Sequence, residues 1–363
     1  MLKVNSEINT LKKVLLHRPN VELNVLNENN KQEYLFDELP NLSIAQKEHD
    51  YFSKILKDNN VEVVYILDLM KDVLDSNNVK ESFIKDYLKQ ANCDDEKIYN
   101  EFLKINDNKE LLLNTFSGLN GKLQALPNLY FTRDPFTIID NGIAIYNMHT
   151  NLRKRETIYG EYINKYHDDF KGHKYYAPNF DYQIEGGDVI LLNKDIIAIG
   201  VSERTTLNAA KELSERLISN SIIKQSLIME IPSKRACMHL DTVFTRFDEN
   251  KFVIYKEIYD NLKLKLINEK GIFDISESIE STLEKLLNII DIKLLICDDE
   301  IEQWNDACNT LCIGPNKIIV YDINKKMNKR FKELNTIVYE LPSKELVKGR
   351  GGPHCMSMPL IRE

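Results

Sequence analysis

Residues 188–219 read "DVILLNKDIIAIGVSERTTLNAAKELSERLIS". Two apolar runs flank a short polar turn, which is the pattern of a strand, a turn and a strand. From Thr205 the periodicity becomes helical. The same order recurs along the chain. "FTIIDNGIAIYN" (136–147) is a strand, an Asn-Gly turn and a strand. "TVFTRFDENKFVIY" (242–255) is again a strand pair around a polar turn. "TLCIGPNKIIVYDIN" (310–324) is another, with helical "KKMNKRFKEL" (325–334) behind it. A fifth, less regular copy is predicted at the N-terminal end. It holds "LKKVLLHRPN" (11–20), a helix over 43–57 with Ser43 and Gln46 at capping-box spacing, and a strand "VEVVYILDL" (61–69). Residues 71–118 are charged and helically periodic, and read as a small helical insertion. Strand pairs alternating with helices predict an α/β protein built as a closed ring of similar modules, not a doubly wound sheet. Such an array can fill residues 1–363 as one domain.

Composition narrows the function. A hydrophobic content of 43% and a charged content of 29% suit a globular chain with a large core. The net charge of −8, with no basic block, argues against nucleic acid and anionic membranes as partners. No apolar run approaches the roughly 18 residues of a membrane span. "MLKVNSEINTLKKVLLHRPN" lacks the features of a signal peptide, so a cytoplasmic location is expected. Six cysteines, Cys93, Cys237, Cys297, Cys308, Cys312 and Cys355, are scattered without a CxxC pair. In a large acidic chain expected in the cytoplasm, that argues against a disulfide framework. Cys308 and Cys312 have no partner pair at zinc spacing.

Reactive side chains cluster just ahead of the strand pairs. "FTRDP" puts Asp134 before the second module, "EGGD" puts Glu185 and Asp188 before the third, and "MHLD" puts His239 and Asp241 before the fourth. In a ring, equivalent positions converge on the axis. Singly, each has a bland reading as a turn, a bulge or a satisfied core histidine. Equivalent placement at three modules points to a site. Near the C-terminal end, "GRGGPHCMSMPL" (349–360) surrounds Cys355 with Gly349, Gly351 and Gly352. Glycines there permit close approach, and the segment suits a mobile lid delivering a nucleophile.

These residues carry a family resemblance. "LPNLYFTRDP", "RKRET", "IEGGDV", "GVSERT", "MHLDTVF", "EQWNDACNT" and "KGRGGPHCMSMPL" stand in the order found in arginine deiminases, and the chain resembles that family from about residue 8 to residue 361. The resemblance implies the five-bladed α/β propeller (pentein) fold and hydrolysis of free L-arginine to L-citrulline and ammonia. It implies that Cys355 is the nucleophile, passing through a covalent S-alkylthiouronium, that His239 is the acid and base, and that Glu185 supports proton transfer. It further implies that Asp134 and Asp241 hold the guanidinium, as carboxylates hold such a fork in bidentate fashion. Arg153 and Arg204 would grip the substrate carboxylate, Asn128 would support them, and Arg350 would be a mobile arginine. No metal or cofactor is expected, and a homo-oligomer is. Two departures stand out. The helical insertion is shorter than in typical bacterial members, and Ile323 replaces an arginine in "YDIN" (321–324). An amidinotransferase, a dimethylarginine hydrolase, a peptidyl-arginine deiminase or a non-catalytic arginine sensor remain as alternatives.

Overall fold

A computed structural model describes residues 2–363. The chain begins with β1 (Leu11–Leu16), α1 (Leu42–Asp58) and β2 (Glu62–Tyr65), then four helices, α2 (Ile66–Ser76), α3 (Lys80–Gln90), α4 (Glu96–Lys104) and α5 (Asn108–Gly121). It continues through β3 (Phe136–Ile139), β4 (Gly142–Ile145), α6 (Thr157–Tyr166) and β5 (His173–Tyr176). Next come β6 (Val189–Asn193), β7 (Ile196–Val201), α7 (Leu207–Ser219) and β8 (Gln225–Glu230). The following stretch holds β9 (Phe244–Arg246), β10 (Lys251–Tyr255), α8 (Lys256–Asn261), β11 (Lys263–Asn268), β12 (Gly271–Ile275), α9 (Ile279–Leu287) and β13 (Lys293–Cys297). The last elements are α10 (Glu300–Trp304), β14 (Leu311–Gly314), β15 (Lys317–Tyr321), α11 (Lys325–Glu333), β16 (Ile337–Leu341) and β17 (Met358–Arg362).

The strands form five sheets with one rule. A central strand pairs antiparallel with one neighbour and parallel with the other: β4 with β3 and β5, β7 with β6 and β8, β10 with β9 and β13, β15 with β14 and β16, β1 with β17 and β2. A tight hairpin suffices for an antiparallel pair, whereas a parallel pair needs a crossover. Helices α6, α7, α11 and α1 supply four of these crossovers. The fifth sheet takes its antiparallel strand from the other end of the chain, with Leu15 opposite Met358. The N-terminal copy predicted from sequence is therefore completed by the C-terminal strand.

Local sequence explains the elements. Val189–Leu192 and Ile196–Ile199 are buried at every position, so these strands read as continuous apolar runs, not alternating ones. Thr206 caps α7 by accepting from the Ala209 N–H. The cap of α1 is Asn41, accepting from the Ile44 N–H, in place of the predicted Ser43–Gln46 box. The strand predicted over 61–69 stops at Tyr65. Ile66, Leu69, Met70, Val73 and Leu74 share one buried helical face, so packing pulls that apolar run into α2. The run of helices consequently begins at Ile66 and ends at Gly121. In the second module the turn is Asp140–Asn141, with Asp140 at φ 50° and Gly142 already in β4. The hairpin β11–β12 was not foreseen; it extends the sheet of β6, β7 and β8 to five strands. Among the described residues no helix is long and apolar enough to cross a membrane.

The short segments just ahead of β3, β6, β9, β14 and β17 lie outside the strands yet are buried. They hold the polar side chains described next.

Candidate active site

Asp134 precedes β3, Glu185 and Asp188 precede β6, and His239 and Asp241 precede β9. The rule extends further than the sequence reading took it: Asn309 precedes β14 and Cys355 precedes β17. All seven side chains are at most 3% exposed.

Glu185 and His239 form the first half of the site. Glu185 Oε2 lies 2.7 Å from His239 Nε2, and its Oε1 accepts from the His149 N–H at 2.9 Å. Asp134 Oδ1 is 3.8 Å from His239 Nδ1. A Cβ on Gly187 would stand 2.7 Å from His239 Nδ1, so only glycine lets the ring sit there. Asp188 fixes the histidine turn, accepting from the Leu240 N–H at 2.8 Å and the Ser202 hydroxyl at 2.7 Å. Burial works against a charged His239, but Asp134, the hydrogen bond to Glu185 and Asp188 outweigh it and raise the imidazole to about 9. Burial likewise opposes a charged Glu185, yet His239, Arg204 and Arg153 hold its carboxyl well below the usual range.

Cys355 forms the second half. Its Sγ lies 3.2 Å from Asp241 Oδ2, which also meets His354 Nδ1 at 2.8 Å. The Asn309 amide donates to Sγ at 3.0 Å. Burial, followed by Asp241, Asp134 and Asp306, pushes the thiol well above its ordinary value. The segment predicted as a lid is buried from 349 to 360, and Tyr321 pins it by donating to the Gly351 carbonyl at 2.8 Å. None of its glycines has a positive φ; the left-handed residue is Arg350, at φ 62°.

Three unsatisfied atoms define the chemistry. Asp134 Oδ1, Asp241 Oδ1 and Arg204 Nη1 are buried without a hydrogen-bond partner among the described residues. Such groups are costly unless something pairs with them. Two carboxylate oxygens ask for N–H donors, and one guanidinium N–H asks for an anion.

The remaining predicted residues are distributed around this core. Arg153 donates to Asp134 Oδ2 at 2.7 Å and to Glu156 through Nε and Nη2. Arg204 Nη1 is 3.9 Å from Glu185 Oε2, and its Nε reaches Glu203 at 3.2 Å. Asn128 instead donates to the Tyr34 carbonyl at 2.9 Å. Arg350 stacks on Trp304, 3.5 Å from the ring centroid. Neither Asn128 nor Arg350 hydrogen-bonds another predicted site residue. Sequence reasoning missed Asn309, which lies in the buried lead-in to β14, and Glu156, three residues after Arg153. It also missed His354 beside Cys355. Asp134, Glu185 and His239 could together face a cation, since each offers one ligand atom within 4.8 Å of the others. Ile323 is exposed and stands apart from these buried segments.

A family model described as arginine deiminase matches residues 32–119 and 100–362. The chain is 42% identical to the arginine deiminase of Treponema denticola, with all of this chain and 99% of that one aligned. The chain belongs to the arginine deiminase family. A second arginine deiminase, from Streptococcus gordonii, is 38% identical and aligned over 98% of its length. These alignments run over 409 and 408 positions, more than the 363 residues here, so both relatives carry segments that this family member lacks. A solved DDAH mutant from Pseudomonas aeruginosa, complexed with citrulline, superposes with a TM-score of 0.60. The match covers 96% of this chain and 99% of that one at 16% identity, so the mixed α/β fold is shared.

The charge on His239 makes a prediction. Its folded value of about 9 lies above the ordinary 6.5. Its stabilising contribution is therefore complete below pH 6.5 and is lost as pH rises through about 9. In thermal melts from pH 6 to 10, the lead of the wild type over His239→Asn should shrink with rising pH. Parallel profiles would contradict a charged His239.

Proposed function

We propose that this chain hydrolyses free L-arginine to L-citrulline and ammonia, with Cys355 as nucleophile. The observation that carries the reading is the set of unpaired atoms. Asp134 Oδ1 and Asp241 Oδ1 suit the N–H groups of a guanidinium, and Arg204 Nη1 suits a carboxylate at the other end of the same molecule. Asp241 also touches Sγ, so a guanidinium held there brings its central carbon to the thiol.

The steps follow from these positions. A cationic substrate offsets the carboxylates that hold the thiol protonated, and the Sγ proton passes to solvent. The thiolate adds to the guanidinium carbon. Charged His239 gives its proton to the departing nitrogen, the C–N bond breaks, and ammonia leaves an S-alkylthiouronium on Cys355. Neutral His239 then takes a proton from water. The resulting hydroxide adds to the same carbon, the C–S bond breaks, and the new hydroxyl proton passes to the departing thiolate, so that citrulline is released and the thiol is restored. Glu185 holds His239 in register throughout. Arg153 and Arg204 grip the substrate carboxylate and Arg350 swings in from Trp304, while Asn128 would have to leave the Tyr34 carbonyl to support them. A sensor that only bound arginine would have no use for a thiol against Asp241.

The same reading covers the architecture. The five sheets are taken as blades of a closed ring, with α2–α5 inserted, and the whole chain as one catalytic domain. The shared sheet rule and the joining of both chain ends in one sheet support it. Six free thiols suit a reducing cytoplasm.

With arginine as the sole substrate, purified protein should release citrulline and ammonia, and no ornithine. Cys355→Ala should lower kcat by at least about a thousandfold with the fold retained. Substantial turnover by that variant would remove the covalent route. Agmatine lacks the carboxylate and would leave Arg204 unpaired, so its kcat/KM should be lower by something on the order of ten-thousandfold. Equal values for agmatine and arginine would overturn the carboxylate clamp.

A further inference from the structure

Asn309 is fully buried and its amide makes three hydrogen bonds. Nδ2 donates to the Asp241 carbonyl at 3.0 Å and to Cys355 Sγ at 3.0 Å. Oδ1 accepts from the Cys355 backbone N–H at 3.1 Å. A primary amide has two N–H donors, and both are used. The flipped amide would set its oxygen against the Asp241 carbonyl and its NH2 against the Cys355 N–H. The network therefore fixes the orientation, and Sγ is an acceptor from Asn309. Gly352 makes room for this, since a Cβ there would lie 2.8 Å from Asn309 Oδ1.

Asp241 is the other side chain that hydrogen-bonds Sγ, and its carboxylate opposes ionisation. Asp134 and Asp306 add to that opposition. His354 is engaged with Asp241 and Glu7. The hydroxyls of Tyr130 and Tyr321 also lie in this neighbourhood and bring no positive charge. His239 is bound to Glu185. Asn309 is thus the neutral donor reserved for the sulfur. A hydrogen bond to a charged acceptor is about twice as strong as one to a neutral acceptor, so this contact favours the thiolate.

We propose that Asn309 is a positioning residue for the nucleophile: it orients Cys355 through the backbone N–H and stabilises the thiolate that forms when a cationic substrate arrives. The inference builds on the arginine hydrolysis proposed above. Its place in the chain accords with that role, since Asn309 lies in the buried segment leading into β14, as Asp134, Glu185, His239 and Cys355 lie in the buried segments leading into their own strands.

The test uses Asn309→Ala and Asn309→Asp in the full chain. Asn309→Asp keeps the acceptor for the Cys355 N–H and removes the donor to Sγ. The readouts are steady-state kinetics with arginine, and the pH midpoint of Cys355 alkylation by iodoacetamide, followed on the Cys355 peptide. In both variants kcat should fall about a hundredfold, as when an oxyanion donor is removed, with KM changing less than about threefold. The alkylation midpoint should rise by at least about one pH unit. An unchanged midpoint in both variants overturns the inference, whatever happens to kcat. If Asn309→Asp does not fold, Asn309→Ser is read in the same way. The two proposals fail separately. Wild-type citrulline formation with unshifted midpoints removes only the role of Asn309, whereas absence of citrulline from the wild type removes the hydrolysis and leaves the midpoint to decide the donor.

Discussion

Glu185 and His239 meet at 2.7 Å in the interior, and the rest of the site is arranged around that ion pair. Either group alone would be costly to bury as a charge; together, with Arg204 and Arg153 each 3.9 Å from the carboxylate, they remain ionised. The pair dictates the sequence near it. Gly187 is a glycine because the imidazole occupies the space of a Cβ. Asp188 is an aspartate because the turn carrying His239 needs an acceptor for the Leu240 N–H. Two separate sheets contribute the two partners, so the contact also ties β6 to β9 at their leading ends.

A second consequence concerns the thiol. Three carboxylates around a buried sulfur make a poor environment for a thiolate. In the proposed mechanism this is useful. The nucleophile stays protonated, and so unreactive towards stray electrophiles, until a cation with N–H groups for Asp134 and Asp241 neutralises its surroundings. Selectivity and activation then come from one electrostatic event. The charged His239 does not relieve the thiol beforehand, because its own charge is already engaged by Glu185.

The sequence disclosed the hairpins because their strands are continuous apolar runs with short polar turns, as in Val189–Val201. It disclosed Asp134, Glu185, His239 and Asp241 because acidic and imidazole groups stand out ahead of such runs. It did not disclose α2, whose apolar residues continue β2 without a break and become helical only through packing. It did not disclose β11 and β12, since β12 is largely exposed and lacks the buried pattern of a core strand. The parallel strands β5, β8, β13 and β16 were equally silent, because a parallel partner is chosen by a crossover and not by its neighbours in sequence. Asn309 was overlooked because an asparagine before a strand reads as a plain polar residue. Only its place in the lead-in to β14, and then the contact with Sγ, distinguishes it.

The central claim is that a bond forms between Cys355 and the guanidinium carbon of arginine. Rapid acid quench of the protein during turnover, with mass spectrometry of the Cys355 peptide, examines that bond directly. The account predicts an increment on Cys355 equal to arginine less ammonia, which accumulates early and disappears as citrulline appears. Steady citrulline production with Cys355 unmodified at every quench time, or with the increment on another residue, would contradict it.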